Sequence, residues 1–297
     1  MYFVFKFLSL LPLSLLQSLG TFIGWLLYLL PSSIRRITEI NIRLVYPELS
    51  HFQQQALIKK SIKSQCCSFI ECIKFWGKPA TYSLSCIGEI HNAHHLTQAI
   101  QDQKGVIVVV PHLGNWELLN AWLCMQSHPV IMYKPNKNKA INRYILEARQ
   151  KCNATLVPAD ETGVRAIFKH LKQGGLTVIL PDHMPKPSGG IYAVFFQQNV
   201  MSGTIVSKLA HKTQAHVIGL SCLRNSTHHT FDIYCNVVPS SIFSKALEES
   251  VHCLNQHMEN MIALAPEQYI WSYKRFRNCA DHYNPYRDPP KPSAKAS

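Results

Sequence analysis

The stretch VVVPHLGNWELL, residues 108–119, ends a run of apolar residues in proline, histidine and glycine, then resumes with a tryptophan and a single carboxylate. His112 follows GVIVVV, the pattern of a buried strand, so its ring emerges where that strand ends. Gly114 permits a tight reversal, Asn115 can cap the next helix, and Glu117 falls in that helix's first turn. A carboxylate on one imidazole nitrogen fixes the tautomer and leaves the other nitrogen to take a proton from a hydroxyl. The same residues have a plainer use. Glu117 can complement the helix dipole, worth about 0.3–1 kcal/mol, while His112 serves as a turn residue. The H-x-x-x-x-E spacing by itself leaves both readings open.

Positioning such a pair requires a strand, a turn and a helix in succession, and the chain repeats that rhythm. Short apolar runs predict strands near 83–88, 105–110, 129–133, 154–157, 176–180, 216–222 and 230–237. Helical patterns predict helices near 92–102, 115–127, 138–151, 161–173, 202–213 and 245–264. The alternation argues an α/β fold, a mixed, mostly parallel sheet flanked by helices. In such sheets ligands collect outside the carboxyl ends of strands, where PHLGNWE falls. Upstream, 34–45 reads as a short helix. A longer one starts at Ser50, which forms a possible capping box with Gln53, and runs to about Trp76.

From Phe7 to Ile34 no residue is charged, and Arg35 and Arg36 come directly after. A run of this length suffices for the roughly 20 apolar residues that span a bilayer, and we read residues 1–34 as a membrane anchor. Pro12, Gly20 and Gly24 interrupt it, so a kinked helix lying in one leaflet is the other reading. Basic residues after it (Arg35, Arg36, Arg43, Lys59, Lys60, Lys63) place the remainder of the chain in the cytoplasm. The 297 residues carry a net charge of +13, with only 16% charged against 47% hydrophobic. That balance favours an anionic partner. The chain lacks zinc-finger spacing and RNA-binding aromatic signatures, so nucleic acid is not expected. The ten cysteines have no metal-ligand spacing and read as reduced thiols, Cys66 and Cys67 lying adjacent in a helix. Residues 35–284 form the expected catalytic domain, and 285–297 a disordered basic tail.

PHLGNWELL resembles the H-x4-D/E motif of the glycerolipid acyltransferase superfamily. Asn41 with VYPELS, then YKPNKN, PDH with FF, and APEQYIWSYKRFR extend the likeness to the bacterial lipid A biosynthesis acyltransferases, the lauroyl and myristoyl transferases. The resemblance implies a glycerolipid-acyltransferase-like fold in an inner-membrane enzyme facing the cytoplasm. It implies transfer of an acyl group from acyl carrier protein to a hydroxyl of a lipid A precursor, by direct attack in a ternary complex, with no metal or cofactor.

On that reading His112 is the general base and Glu117 orients it. Lys134, in YKPNKN, falls where the family has a basic residue, and Arg149, in ILEARQK, matches a family arginine; both are candidates for holding phosphate or an oxyanion. Asp182 matches an acidic family position, with turn capping as its alternative. Arg165 and the Lys274, Arg275, Arg277 group can meet lipid phosphate or carrier protein, or form a plain basic surface. Tyr192, Phe195 and Phe196 can line an acyl channel, or be core. The segment after PDH lacks the family's acidic-glycine continuation, which bears on acceptor and chain length. Three rivals remain at the sequence level: the same chemistry on a lysophospholipid or other glycolipid, thioester hydrolysis, and a non-catalytic membrane-bound protein that binds anionic lipid.

Overall fold

The computed structural model describes residues 1–288. The apolar N-terminus is two helices, α1 (Tyr2–Leu8) and α2 (Leu13–Leu29). Pro12, which has no N–H to donate, stands immediately before α2, and the two axes turn by 119°. Among the described residues no single helix is long and apolar enough to cross a membrane; only this bent pair passes when taken together.

The next two helices begin at serine caps. α3 (Ser33–Val45) starts where the Ser32 hydroxyl accepts the Arg35 N–H, and α4 (His51–Gly77) carries the capping box expected between Ser50 and Gln53. A strand expected over 83–88 gives way to α5 (Ala80–Ser85), and β1 (Ile87–His91) comes after it. The alternation TYSLSC mimics a strand, but this segment packs as a turn and a half of helix beside the helix after PHLGNWE.

The expected alternation then holds: α6 (Ala93–Gln101), β2 (Val106–Val109), α7 (Trp116–Gln126), β3 (Pro129–Tyr133), α8 (Lys139–Gln150), β4 (Thr155–Pro158), α9 (Glu161–Lys172) and β5 (Leu176–Ile179). An unexpected hairpin is next, β6 (Gly190–Phe195) and β7 (Gln198–Gly203). After it come α10 (Ile205–Thr213), β8 (His216–Asn225), β9 (Thr230–Val237) and α11 (Leu247–Ala263).

Seven strands form one sheet in the order β1-β9-β8-β2-β5-β3-β4. Only β8 and β9 pair antiparallel; every other neighbouring pair is parallel. The sheet is thus mixed, mostly parallel and flanked by helices. In β2, Ile107 and Val109 belong to one buried cluster with Ile167 and Leu171 of α9, whereas Val106 and Val108, with Val110 just after the strand, belong to another with Leu118 and Trp122 of α7. Burial on both faces explains why GVIVVV has no polar alternation. Among the described residues no disulfide joins any of the ten cysteines. Tyr286 is buried, donates to the Asn41 side chain and accepts the Phe276 N–H, so the packed body continues past residue 285, where a tail was expected. The rest of that tail, 289–297, lies outside the described residues.

Candidate active site

β2 and β5 are parallel neighbours with Val109 opposite Ile179. Three residues beyond each partner stand His112 and Asp182, and the two strands end alike, VVVPH and VILPD. The register delivers imidazole and carboxylate to one place. His112 Nδ1 lies 2.8 Å from Asp182 Oδ1, and the His112 backbone N–H donates to Oδ2 at 2.9 Å. Asp182 is fully buried. Burial works to raise its pKa, but the His112 ring and its hydrogen bonds, with His183 behind them, outweigh it and hold the carboxyl well below the usual range. An ionised carboxylate only accepts. Nδ1 therefore carries a hydrogen, and in the neutral tautomer this selects, the lone pair falls on Nε2.

The turn that carries His112 is held from several sides. Gly114 has φ +63°, and a Cβ there would meet the Cys222 carbonyl oxygen at 2.0 Å. Its N–H donates to the Gln268 carbonyl, and the Asn115 N–H donates to that of Cys222. The Asn115 side chain caps α7 through the Leu118 N–H and donates to Glu71. Glu71 is fully buried and takes a two-pronged bond from Arg224, at 2.6 and 2.7 Å. From the C-terminal block, the Ile270 N–H donates to the His112 carbonyl, and Asn41 ties down the carbonyls of Trp271 and Tyr273. Sequence blocks far apart in the chain thus meet around this one turn.

The carboxylate on His112 is that of Asp182, not of Glu117 as expected. Glu117 accepts from Trp76 Nε1 and from Arg149, each at 3.0 Å. Its place in the first turn of α7 points it toward α4 and α8, so it anchors the arginine. His112, Glu117, Lys134 and Arg149 nevertheless line one cavity of about 270 Å³. Its remaining wall is mostly apolar, with Val110, Leu119, Leu123, Ile131, Val178 and Leu180. Lys134 also borders an adjoining groove at the ends of β3 and β4, shared with Lys186.

Arg165 is not brought there; it is exposed on α9 and paired with Glu161 at 3.6 Å. The aromatic acyl-channel reading also gives way. Phe195 is buried against Phe276 and under Arg275, Phe196 packs on Trp271, and Tyr192 is exposed and donates to Asn278. Arg275 itself is buried and donates to the Met201 carbonyl and the Ser202 hydroxyl, whereas Lys274 and Arg277 are exposed.

Sequence reasoning missed a column of rings. His183 stacks on His112 with centroids 3.9 Å apart and planes 5° from parallel, Tyr273 covers its other face at 3.9 Å, and Trp116 meets His112 edge-on at 5.1 Å. Burial, reinforced by the neighbouring His112, pushes His183 down to about 4. Sandwiched between His112 and Tyr273, it holds the plane of the His112 ring. The one sequence signal for it was its position directly after Asp182. Among the described residues no three His, Cys, Asp or Glu side chains converge as a metal site.

The family model described as bacterial lipid A biosynthesis acyltransferase matches residues 1–278, which include every residue lining the cavity. The chain belongs to this family. Over 270 residues it is 23% identical to the lipid A biosynthesis lauroyltransferase of Escherichia coli K12, covering 90% of this chain and 87% of that protein. The palmitoleoyltransferase of the same organism is 22% identical over 268 residues, covering 90% and 86%. Its myristoyltransferase is 19% identical over 262 residues, covering 88% and 79%. In this lipid A acyltransferase family member, an imidazole held by a buried carboxylate and two cations thus converge on an apolar slot.

Proposed function

We propose that the chain transfers a fatty acyl group from the thioester of acyl carrier protein to a hydroxyl of a lipid A precursor, at the cytoplasmic face of a bacterial inner membrane, without a metal or cofactor. The observation that carries this reading is the His112–Asp182 pair at the polar end of an apolar cavity. The hydroxyl donates to His112 Nε2, and its oxygen attacks the thioester carbonyl as the proton passes to the ring. Asp182 stabilises the imidazolium so formed. The tetrahedral intermediate collapses with loss of the C–S bond, and the departing sulfur takes the proton back from His112. General-base help of this kind contributes about 10²–10⁴ in rate.

The apolar wall suits the acyl tail; the relatives are named for lauroyl, palmitoleoyl and myristoyl transfer, and of these we propose a lauroyl or myristoyl chain. Lys134 and Lys186, on the adjoining groove, supply charge for the phosphates of the acceptor. Arg149, clamped by Glu117, sits where it can steady the oxyanion or the donor. The test is a detergent assay with lauroyl- or myristoyl-acyl carrier protein and a Kdo-bearing lipid A precursor, read by mass spectrometry. A gain of one acyl chain is expected. Preferential transfer to a lysophospholipid would move the acceptor elsewhere, and no transfer with any chain length would overturn the reading.

A further inference from the structure

The outer surface of α1 and α2 is apolar and uncovered. Phe3 is 82% exposed, Phe7 64% and Phe22 54%, and Leu10, Leu15 and Trp25 continue the same surface. Contiguous exposure of this extent marks an interaction surface. The inner stripe of α2 is committed to protein. Leu16, Gly20 and Gly24 are buried against α4, and a Cβ at Gly24 would meet the Lys63 backbone at 2.5 Å. α2 therefore cannot cross a bilayer without leaving α4 or dragging in its exposed Lys59 and Lys60. At 17 residues, α2 reaches only about 25 Å, short of the ~30 Å hydrocarbon core.

α1 turns back onto the catalytic body. The Tyr2 hydroxyl donates to Glu147 of α8 at 2.6 Å, and Tyr144 donates to the Phe5 carbonyl. α8 also supplies Ile145 and Arg149 to the cavity. Around this junction Lys137, Lys139, Arg143 and Lys151 are exposed, as is Lys6 on α1. The one acid on α8, Glu147, is already engaged by Tyr2 and Arg143. Lys6 and Arg143 share that single acid, which leaves the cations in clear excess, and an apolar surface edged by excess positive charge matches a bilayer bearing anionic headgroups.

We propose that α1 and the outer face of α2 form an in-plane dock for anionic phospholipid, seated in one leaflet, with the N-terminus on the same side of the membrane as the cavity. The dock sets the α8 wall of the cavity at the headgroup level, so a lipid acceptor enters sideways from the leaflet. This rests on the chain being membrane-bound and not on which acceptor it acylates.

The experiment places an epitope tag ahead of Met1 of the full chain and compares protease access in spheroplasts and in inside-out vesicles. Tag and catalytic body cut from the cytoplasmic face alone are expected. A tag cut only from the opposite face means a span and overturns the proposal; a chain found wholly in the soluble fraction overturns the membrane reading beneath it. In flotation, the purified chain should prefer vesicles of phosphatidylglycerol and phosphatidylcholine over phosphatidylcholine alone. Phe3→Ser with Phe7→Ser should cut binding about tenfold or more at unchanged melting temperature. Lys137→Gln with Lys139→Gln should erase much of the anionic preference, about fivefold per charge. Unchanged flotation of the phenylalanine variant, with a lipid-free dimer that the same changes split, would make the surface a contact between copies and overturn the dock.

Discussion

At the scale of single residues, the division of labour between two carboxylates is the point most open to measurement. Asp182→Asn keeps the shape but puts an amide N–H against Nδ1, which forces the hydrogen onto Nε2 and removes the base. By analogy with the serine-protease aspartate, kcat should fall about 10³–10⁴-fold. Glu117→Gln leaves the base intact and loosens only the hold on Arg149, so its loss should be smaller and should fall partly on KM. Steady-state kinetics of both variants decide the matter; a silent Asp182→Asn beside a dead Glu117→Gln would return the orienting role to Glu117. His112 was legible from its place after a strand. Asp182 was visible as an acidic position, but its partner was not, because pairing across parallel strands is set by register and not by sequence separation. The twin endings VVVPH and VILPD were the overlooked clue.

At the scale of elements, the turn after β2 depends on groups that no local pattern joins. Gly114→Ala must place a methyl on the Cys222 carbonyl at positive φ, so loss of activity should accompany a stability loss of at least about 1–3 kcal/mol, read from the denaturant midpoint. Glu71→Gln leaves Arg224 without its counter-charge in a buried setting, and about 3–5 kcal/mol should go with it in the same experiment. Most helices and strands were legible because both faces of the sheet are covered, which turns its central strands into continuous apolar runs. The β6–β7 hairpin was not. Its two-residue turn places Phe196 at φ 47° and Gln197 at φ 60°, where Asn-Gly or Gly would be the usual signal. Glu259 holds that turn by accepting the Phe196 N–H at 2.7 Å, a contact from α11 that local sequence cannot announce.

At the scale of the whole molecule, stability should depend on acidity in a defined window. Burial pushes His257, packed under Gly219 of β8, down to about 4, and His183 shares that value. The unfolded chain, with histidines near ~6.5, then binds more protons than the folded one between those limits. Stability is full above about 6.5 and declines as the pH falls toward 4, by up to about 3 kcal/mol for each group. Asp182, held ionised when folded, adds a further loss below about 4. Thermal melts from neutral to acid pH should show the decline, and His257→Leu should flatten its first part. The α/β architecture was readable in outline, and Pro12 marked the break in the apolar N-terminus; the commitment of Gly20 and Gly24 to α4 was not readable, because it depends on a helix far along the chain. The shared register of β2 and β5 carries a last consequence, for editing the chain rather than substituting it. His112 and Asp182 are kept in phase by strand alignment, so a valine inserted between Val108 and Val109 is a frame slip: the strand advances while the turn stays pinned by Cys222 and Gln268. Such an insertion should silence the site while the rest of the sheet folds, read as lost turnover at near-unchanged circular dichroism.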